Sequence, residues 1–155
     1  DAPLMKSIAR RRFVSVLAGL AAAPLLTRAA RAQSDTFAPL ILKIAGGAPV
    51  RPGRVTVDIP RLADNGNSVP LRIIVDSAMT PADHVRTITL LSEKNPRPVM
   101  ATFHLGPKAG RPELATRVRL ATSQRVLVVA ELSDGSYWSG SADVEVTESA
   151  CLDAS

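Results

Sequence analysis

Hydrophobic and polar residues alternate along most of the chain beyond residue 50. The clearest run places Val69, Leu71, Ile73 and Val75 on one side of an extended segment. A period of two is typical of strands with one buried face. The same reasoning predicts seven strands, over residues 55–59, 69–75, 85–91, 99–105, 114–120, 126–132 and 142–147. Seven short strands at near-regular spacing predict an all-β chain folded as a β-sandwich.

Two segments depart from this pattern. Residues 36–45 place Phe37, Leu40, Ile41 and Ile44 on one helical stripe and are followed by two glycines, which are typical of a helix C-cap. We therefore predict a short N-terminal helix, although residues 40–44 alone also suit a strand. Residues 80–83 (TPAD) combine an N-cap residue, a proline at the first helical position and an acid in the first turn. This combination predicts a single helical turn.

The N-terminal segment, residues 1–32, has the features of an export signal. Residues 10–13 (RRRF) precede an uncharged stretch at 14–26 and the small-x-small pattern Ala30-Arg31-Ala32. The apolar stretch is shorter than the roughly 20 residues that a membrane-spanning helix needs. An arginine pair ahead of a modestly hydrophobic run indicates a twin-arginine signal, with an ordinary secretory signal as the alternative. Both predict a periplasmic protein.

The charge balance changes once this signal is set aside. Six of the 19 Lys and Arg residues precede Gln33, whereas only one of the 14 acids does, so residues 33–155 hold 13 of each. A neutral domain does not suit nucleic-acid binding, which needs a basic face. The sequence after the predicted signal contains no second apolar run that would predict membrane insertion. We expect a sandwich domain at 33–147 followed by a mobile arm at 148–155.

Few residues suit catalysis. The chain has two histidines, His84 and His104, and one cysteine, Cys151, which are too few for a closed zinc site without acidic ligands. We therefore predict no metal, no catalytic residues and no enzyme. A cysteine enzyme with His104 as its base would need a fixed thiol, and the position of Cys151 beyond the last predicted strand argues against that.

Cys151 is the residue that most clearly indicates a function. A lone cysteine in an exported protein is either an intermolecular partner or a free reactive group. From Thr147, the end of the last predicted strand, to Cys151 is four residues, or about 13 Å of extended chain. We therefore expect the thiol to reach beyond the domain.

Several ordered blocks of sequence resemble the SoxY family, the sulfur-carrying subunits of bacterial thiosulfate oxidation. They are residues 58–70 (DIPRLADNGNSVP), 76–80, 95–98, 101–104, 116–121 and 132–136. The resemblance implies an immunoglobulin-like sandwich that pairs with a SoxZ subunit as a heterodimer. It also implies that Cys151 holds the sulfur substrate covalently, without another cofactor, while periplasmic sulfur-oxidation enzymes act on it.

The arm departs from the family pattern. SoxY proper ends in Gly-Gly-Cys-Gly-Gly, whereas residues 149–153 are Ser149, Ala150, Cys151, Leu152 and Asp153. This arm is closer to a SoxY-related group with Ala-Ala-Cys-Ile-Glu. Side chains in place of glycine add bulk and stiffness, and the acids Glu148 and Asp153 disfavour the thiolate. The alternative to a carrier is a non-catalytic binding or structural subunit in which Cys151 forms an intermolecular disulfide or is incidental.

Overall fold

The structure is a computed structural model, and it describes residues 35–148. These residues form one helix and nine strands. They are α1 (Ala38–Ala45), β1 (Val50–Pro52), β2 (Val55–Asp58), β3 (Leu62–Asn65), β4 (Val69–Val75), β5 (Val85–Ser92), β6 (Val99–His104), β7 (Glu113–Val118), β8 (Gln124–Leu132) and β9 (Tyr137–Glu148).

The strands form two sheets. The larger sheet has the order β1-β9-β8-β5-β6, with β3 also paired to β9, and the smaller sheet has the order β2-β4-β7. Neighbouring strands are antiparallel except at β9, where β1 and β3 both run parallel to it. Strand β1 pairs with the beginning of β9 and β3 with its last residues. The confirmed fold class is therefore an all-β, immunoglobulin-like sandwich with one short helix.

The core lies between the two sheets, as the alternation predicts. Val69, Leu71, Ile73 and Val75 of β4 are each at most 2% exposed, and the residues between them are more exposed. They pack against buried residues of β5, β8 and β9 in one cluster. Because each buried aliphatic side chain contributes about 1.5–3 kcal/mol, this cluster supplies most of the free energy that holds the sheets together.

The helix covers the outer face of the larger sheet. Phe37, at its N-cap, is 2% exposed and packs with Leu91 and Val129. The helix ends at Gly46, whose φ of 59° is the left-handed conformation that glycine adopts without strain. The helix is therefore present within the predicted segment 36–45, and the alternative of a strand at 40–44 is wrong.

The predicted helical turn at residues 80–83 is wrong, although its capping bond forms. The Thr80 hydroxyl accepts a hydrogen bond from the Asp83 amide at 3.0 Å. No helix follows, because the chain enters β5 at Val85, two residues later. The Asp83 carboxylate instead pairs with Arg54 at 3.3 Å. The segment is therefore a capped bend.

The two sheets approach closely at Gly140 of β9. A Cβ at this position would overlap the carbonyl oxygen of Val55 and lie 3.2 Å from the Val55 side chain. We expect Gly140→Ala to lower the free energy of unfolding by about 1–3 kcal/mol, since the sheets must move apart. Gly106→Ala is the matched control, because nothing lies within 4 Å of the added methyl group. Urea unfolding of both variants tests this, and equal stabilities would contradict it.

Candidate functional site

The structure describes the end of β9, after which the predicted arm begins. Glu148 is the last described residue and the end of β9. Cys151 and the other predicted arm residues, Ser149, Ala150, Leu152 and Asp153, lie outside the described residues. The carrier position of Cys151 therefore stays a prediction. The described part of the site is the arm root, which we define as residues 145–148.

Strand β3 holds one side of the arm root. Leu62 pairs with Glu145 and Asn65 pairs with Glu148 in parallel register. The Glu145 amide donates to the Arg61 carbonyl at 2.8 Å. The Thr147 hydroxyl donates to the Asp64 carbonyl, also at 2.8 Å. Because these bonds run along the whole root, the last residues of β9 have a fixed direction.

The turn after β3 completes this contact. The Asn65 side chain accepts a hydrogen bond from the Asn67 amide at 2.7 Å, which is the local bond expected of an Asx-turn. Gly66 is buried in the turn; its amide donates to the Glu148 carbonyl at 2.9 Å, and its carbonyl accepts from the Leu120 amide at 2.8 Å. The turn therefore joins the arm root to the segment that follows β7.

A serine side chain holds the opposite side of the root. Strand β8 pairs with β9 only as far as Val144, opposite Gln124. Beyond that pair, the Ser123 hydroxyl accepts from the Val146 amide at 2.8 Å and lies 3.3 Å from the Val146 carbonyl, to which it donates. Ser123 therefore bonds the backbone where the strand ladder stops.

The reach of the arm follows from where β9 ends. The strand continues through Glu148, which the sequence analysis assigned to the arm. Cys151 is the third residue beyond Glu148, so the thiol extends at most about 10 Å beyond the last described residue. This reach is shorter than the one expected from a strand ending at Thr147. Three acids, Asp64, Glu145 and Glu148, are exposed at the root, together with Arg61.

The two histidines do not belong to this site. The Nδ1 atom of His84 lies 3.1 Å from the Thr80 carbonyl oxygen, before β5. His104 is exposed at the end of β6, opposite Thr87. Within residues 35–148, no three His, Asp or Glu side chains are grouped so that they could hold a metal ion. The described contacts of the arm root therefore hold the end of β9 in place, and neither histidine is among them.

Tyr137 and Trp138 begin β9, at the opposite end of the strand from the root, and both pack against hydrophobic clusters. The guanidinium groups of Arg51 and Arg54 lie over the indole ring of Trp138, 5.7 and 5.6 Å from its centre. Its Nε1 atom donates to the Ser136 hydroxyl at 3.0 Å. The hydrogen bond from the same hydroxyl to Asp134 lowers the pKa of that carboxyl group. Tyr137 and Trp138 therefore serve packing.

Comparison with known proteins identifies the class. Residues 41–151 match the family model described as sulfur oxidation protein SoxY. This match spans most of the chain, and the chain therefore belongs to the SoxY family. SoxY proteins are sulfur carriers rather than enzymes, in agreement with the predicted class. No curated protein matches the chain significantly.

Solved structures share the fold. The sulfur carrier protein SoxY from Chlorobium limicola f thiosulfatophilum has a TM-score of 0.62 and 23% identity, over 74% of this chain and 98% of that one. A superoxide reductase (neelaredoxin) from Ignicoccus hospitalis has a TM-score of 0.54 and 15% identity, over 61% of this chain and 80% of that one. At these identities the likeness shows the sandwich alone.

Removing the Thr147 hydroxyl tests the anchoring of the root. Thr147→Val keeps the shape of the side chain but loses its bond to Asp64. We expect hydrogen exchange of the Gly66 amide to accelerate about fivefold, as the loss of one net hydrogen bond predicts. Thr56→Val, at an exposed position of β2, is the control and should leave this rate unchanged. Unaltered Gly66 exchange in Thr147→Val would contradict the anchoring role.

Proposed function

We propose that the protein is a periplasmic carrier that holds sulfur compounds covalently on Cys151. The observation that carries this proposal is the extent of the family match, which ends on Cys151 itself. The geometry of the arm root supports it. A strand anchored on both sides ends three residues before the thiol, so the sulfur is tethered close to a rigid domain.

The proposed chemistry divides the work between carrier and partners. Joining a thiol to thiosulfate through a new S–S bond releases two electrons and one proton. The carrier supplies the nucleophilic sulfur, and a periplasmic redox enzyme accepts the two electrons. The carrier needs no resident cofactor, because the sulfur compound is bonded directly to the Cys151 sulfur. Residues 148–153 then present the product to successive enzymes.

Export to the periplasm is part of the proposal. It is supported by residues 10–13 (RRRF), the apolar stretch that follows and the small-x-small pattern at 30–32, all of which lie outside the described residues. In the described part of the chain, no helix has the length and apolar character that crossing a membrane requires. We assign the signal to the twin-arginine type.

A SoxZ-like subunit is the proposed partner, and the pair would form a heterodimer. The described residues leave strand edges at which a second sandwich could dock, since β6 pairs only with β5 and β7 only with β4. Free edges present unpaired backbone groups that bind another chain by adding a strand. The family membership supports a partner of this kind.

Intact-mass measurement tests the carrier. The protein is incubated with thiosulfate and the periplasmic fraction of a thiosulfate-oxidising cell. We expect the wild-type chain to gain a mass that corresponds to a thiosulfate-derived adduct and to lose it on reduction with a thiol. Cys151→Ser should gain no adduct, because the attachment atom is absent.

The control moves the thiol rather than removing it. Cys151→Ser combined with Ser136→Cys places one cysteine near the other end of β9, before its first residue. This variant should acquire no adduct if the position of the arm matters. Equal labelling of both thiols would contradict a dedicated carrier, and a disulfide-linked protein in place of a sulfur adduct would favour the structural subunit.

A further inference from the structure

A groove opens between the two sheets, along β6 and β7. Its volume is about 250 Å³. Within the described residues these strands are the outer strands of their sheets, so the sandwich is not closed on this side. The apolar part of the lining includes Met100, Phe103 and Val118. A ligand in this groove would therefore contact core side chains without unfolding the domain.

The same groove is lined by three arginines and by no described acid. They are Arg97, Arg117 and Arg119. The Arg117 guanidinium donates to the Ser68 hydroxyl at 3.2 Å, which draws it toward the turn that holds the arm root. The Asn95 side chain donates to the Arg119 carbonyl at 2.8 Å and fixes the backbone there. A partner with an acidic group beside an apolar one would fit this end of the groove.

The predicted arm carries an acidic residue beside an apolar one, and it starts near the arginine-lined end of the groove. Leu152 and Asp153 are adjacent, and they replace the glycines of the usual SoxY arm. The Glu148 backbone is hydrogen-bonded to that of Gly66, and the Gly66 backbone is hydrogen-bonded to that of Leu120, the neighbour of Arg119. Since hydrogen-bonded backbones lie about 5 Å apart, Glu148 and Leu120 are separated by about 10 Å.

The length of the segment allows the contact. Asp153 is five residues beyond Glu148 and reaches about 17 Å when extended. That span exceeds the separation of Glu148 from Leu120 and leaves enough chain for a change of direction. The charges are complementary, because the groove end is lined by arginines and Asp153 is acidic.

We propose that Leu152 and Asp153 dock this chain's own arm at the arginine-lined end of the groove between β6 and β7. Asp153 pairs with Arg119, and Leu152 covers apolar lining of the groove. Docking keeps the Cys151 thiol against the domain and lowers its access to solutes. This inference rests on the cysteine of the proposed carrier, but docking requires no sulfur adduct. The docking proposal and the carrier proposal can therefore fail independently.

The test measures the rate at which the neutral reagent iodoacetamide alkylates Cys151. A pH of about 10, above the ordinary thiol pKa of about 8.5, makes the rate report access rather than ionisation. Arg119→Glu should accelerate alkylation about two- to fivefold, the range for loss of an exposed ion pair. Leu152→Ser should also accelerate it.

Arg61→Glu is the matched control. Arg61 and Arg119 both have exposed side chains, and the backbone carbonyl of each accepts a hydrogen bond from another segment. Arg61 immediately precedes β3 and lines a separate surface depression that includes Glu145, not this groove. Arg61→Glu makes the same change of charge as Arg119→Glu. Because iodoacetamide is neutral, this change of charge does not repel it, so the alkylation rate should stay at the wild-type value.

A charge swap completes the design. Arg119→Asp combined with Asp153→Arg should return the rate to the wild-type value, whereas each single change should raise it. Equal rates in Arg119→Glu and Arg61→Glu, with both variants folded by circular dichroism, would overturn the proposal. A rate that depends on protein concentration would also overturn it, since the groove would then bind the arm of a second copy.

Discussion

The parallel pairing of β3 with the end of β9 is the constraint on which the proposed carrier role depends. It fixes where the arm begins, through backbone bonds from Arg61, Asp64 and Gly66 to residues 145–148. Without it, the last four residues of β9 would extend past β8 with only Ser123 beside them. A longer free segment would let the cysteine sample a larger volume, and its concentration at any one docked partner would fall.

The sandwich itself was predictable from the sequence because its two sheets bury at least one face of each long strand. Alternation identified seven of the nine described strands, and β4 shows why: its inward residues are almost fully buried. Strands β1 and β3 gave no such signal. They are three and four residues long, and β3 exposes Leu62 at 56%, so neither carries a buried face that a period of two could reveal.

The candidate site was only half predictable for a related reason. The cysteine and the acids around it are side-chain features, and a sequence displays them directly. The bonds that anchor the root come mostly from backbone groups, which every residue carries, so residue type does not mark them. The turn at Asn65-Gly66-Asn67 was readable as a turn, but its contact with Glu148 joins positions that are distant in the sequence and follows from the fold alone.

The anchored root also gives meaning to the unusual arm. A glycine-rich arm gains access to partners through backbone freedom, which costs entropy whenever it binds. An arm with Leu152 and Asp153 loses less freedom on binding and can form specific contacts, yet it depends more on where it starts. A rigid root three residues before the cysteine supplies that starting point. In the proposed carrier, the root and the altered arm would therefore act as complementary parts of one tether, which exchanges free movement for a defined set of positions close to the domain.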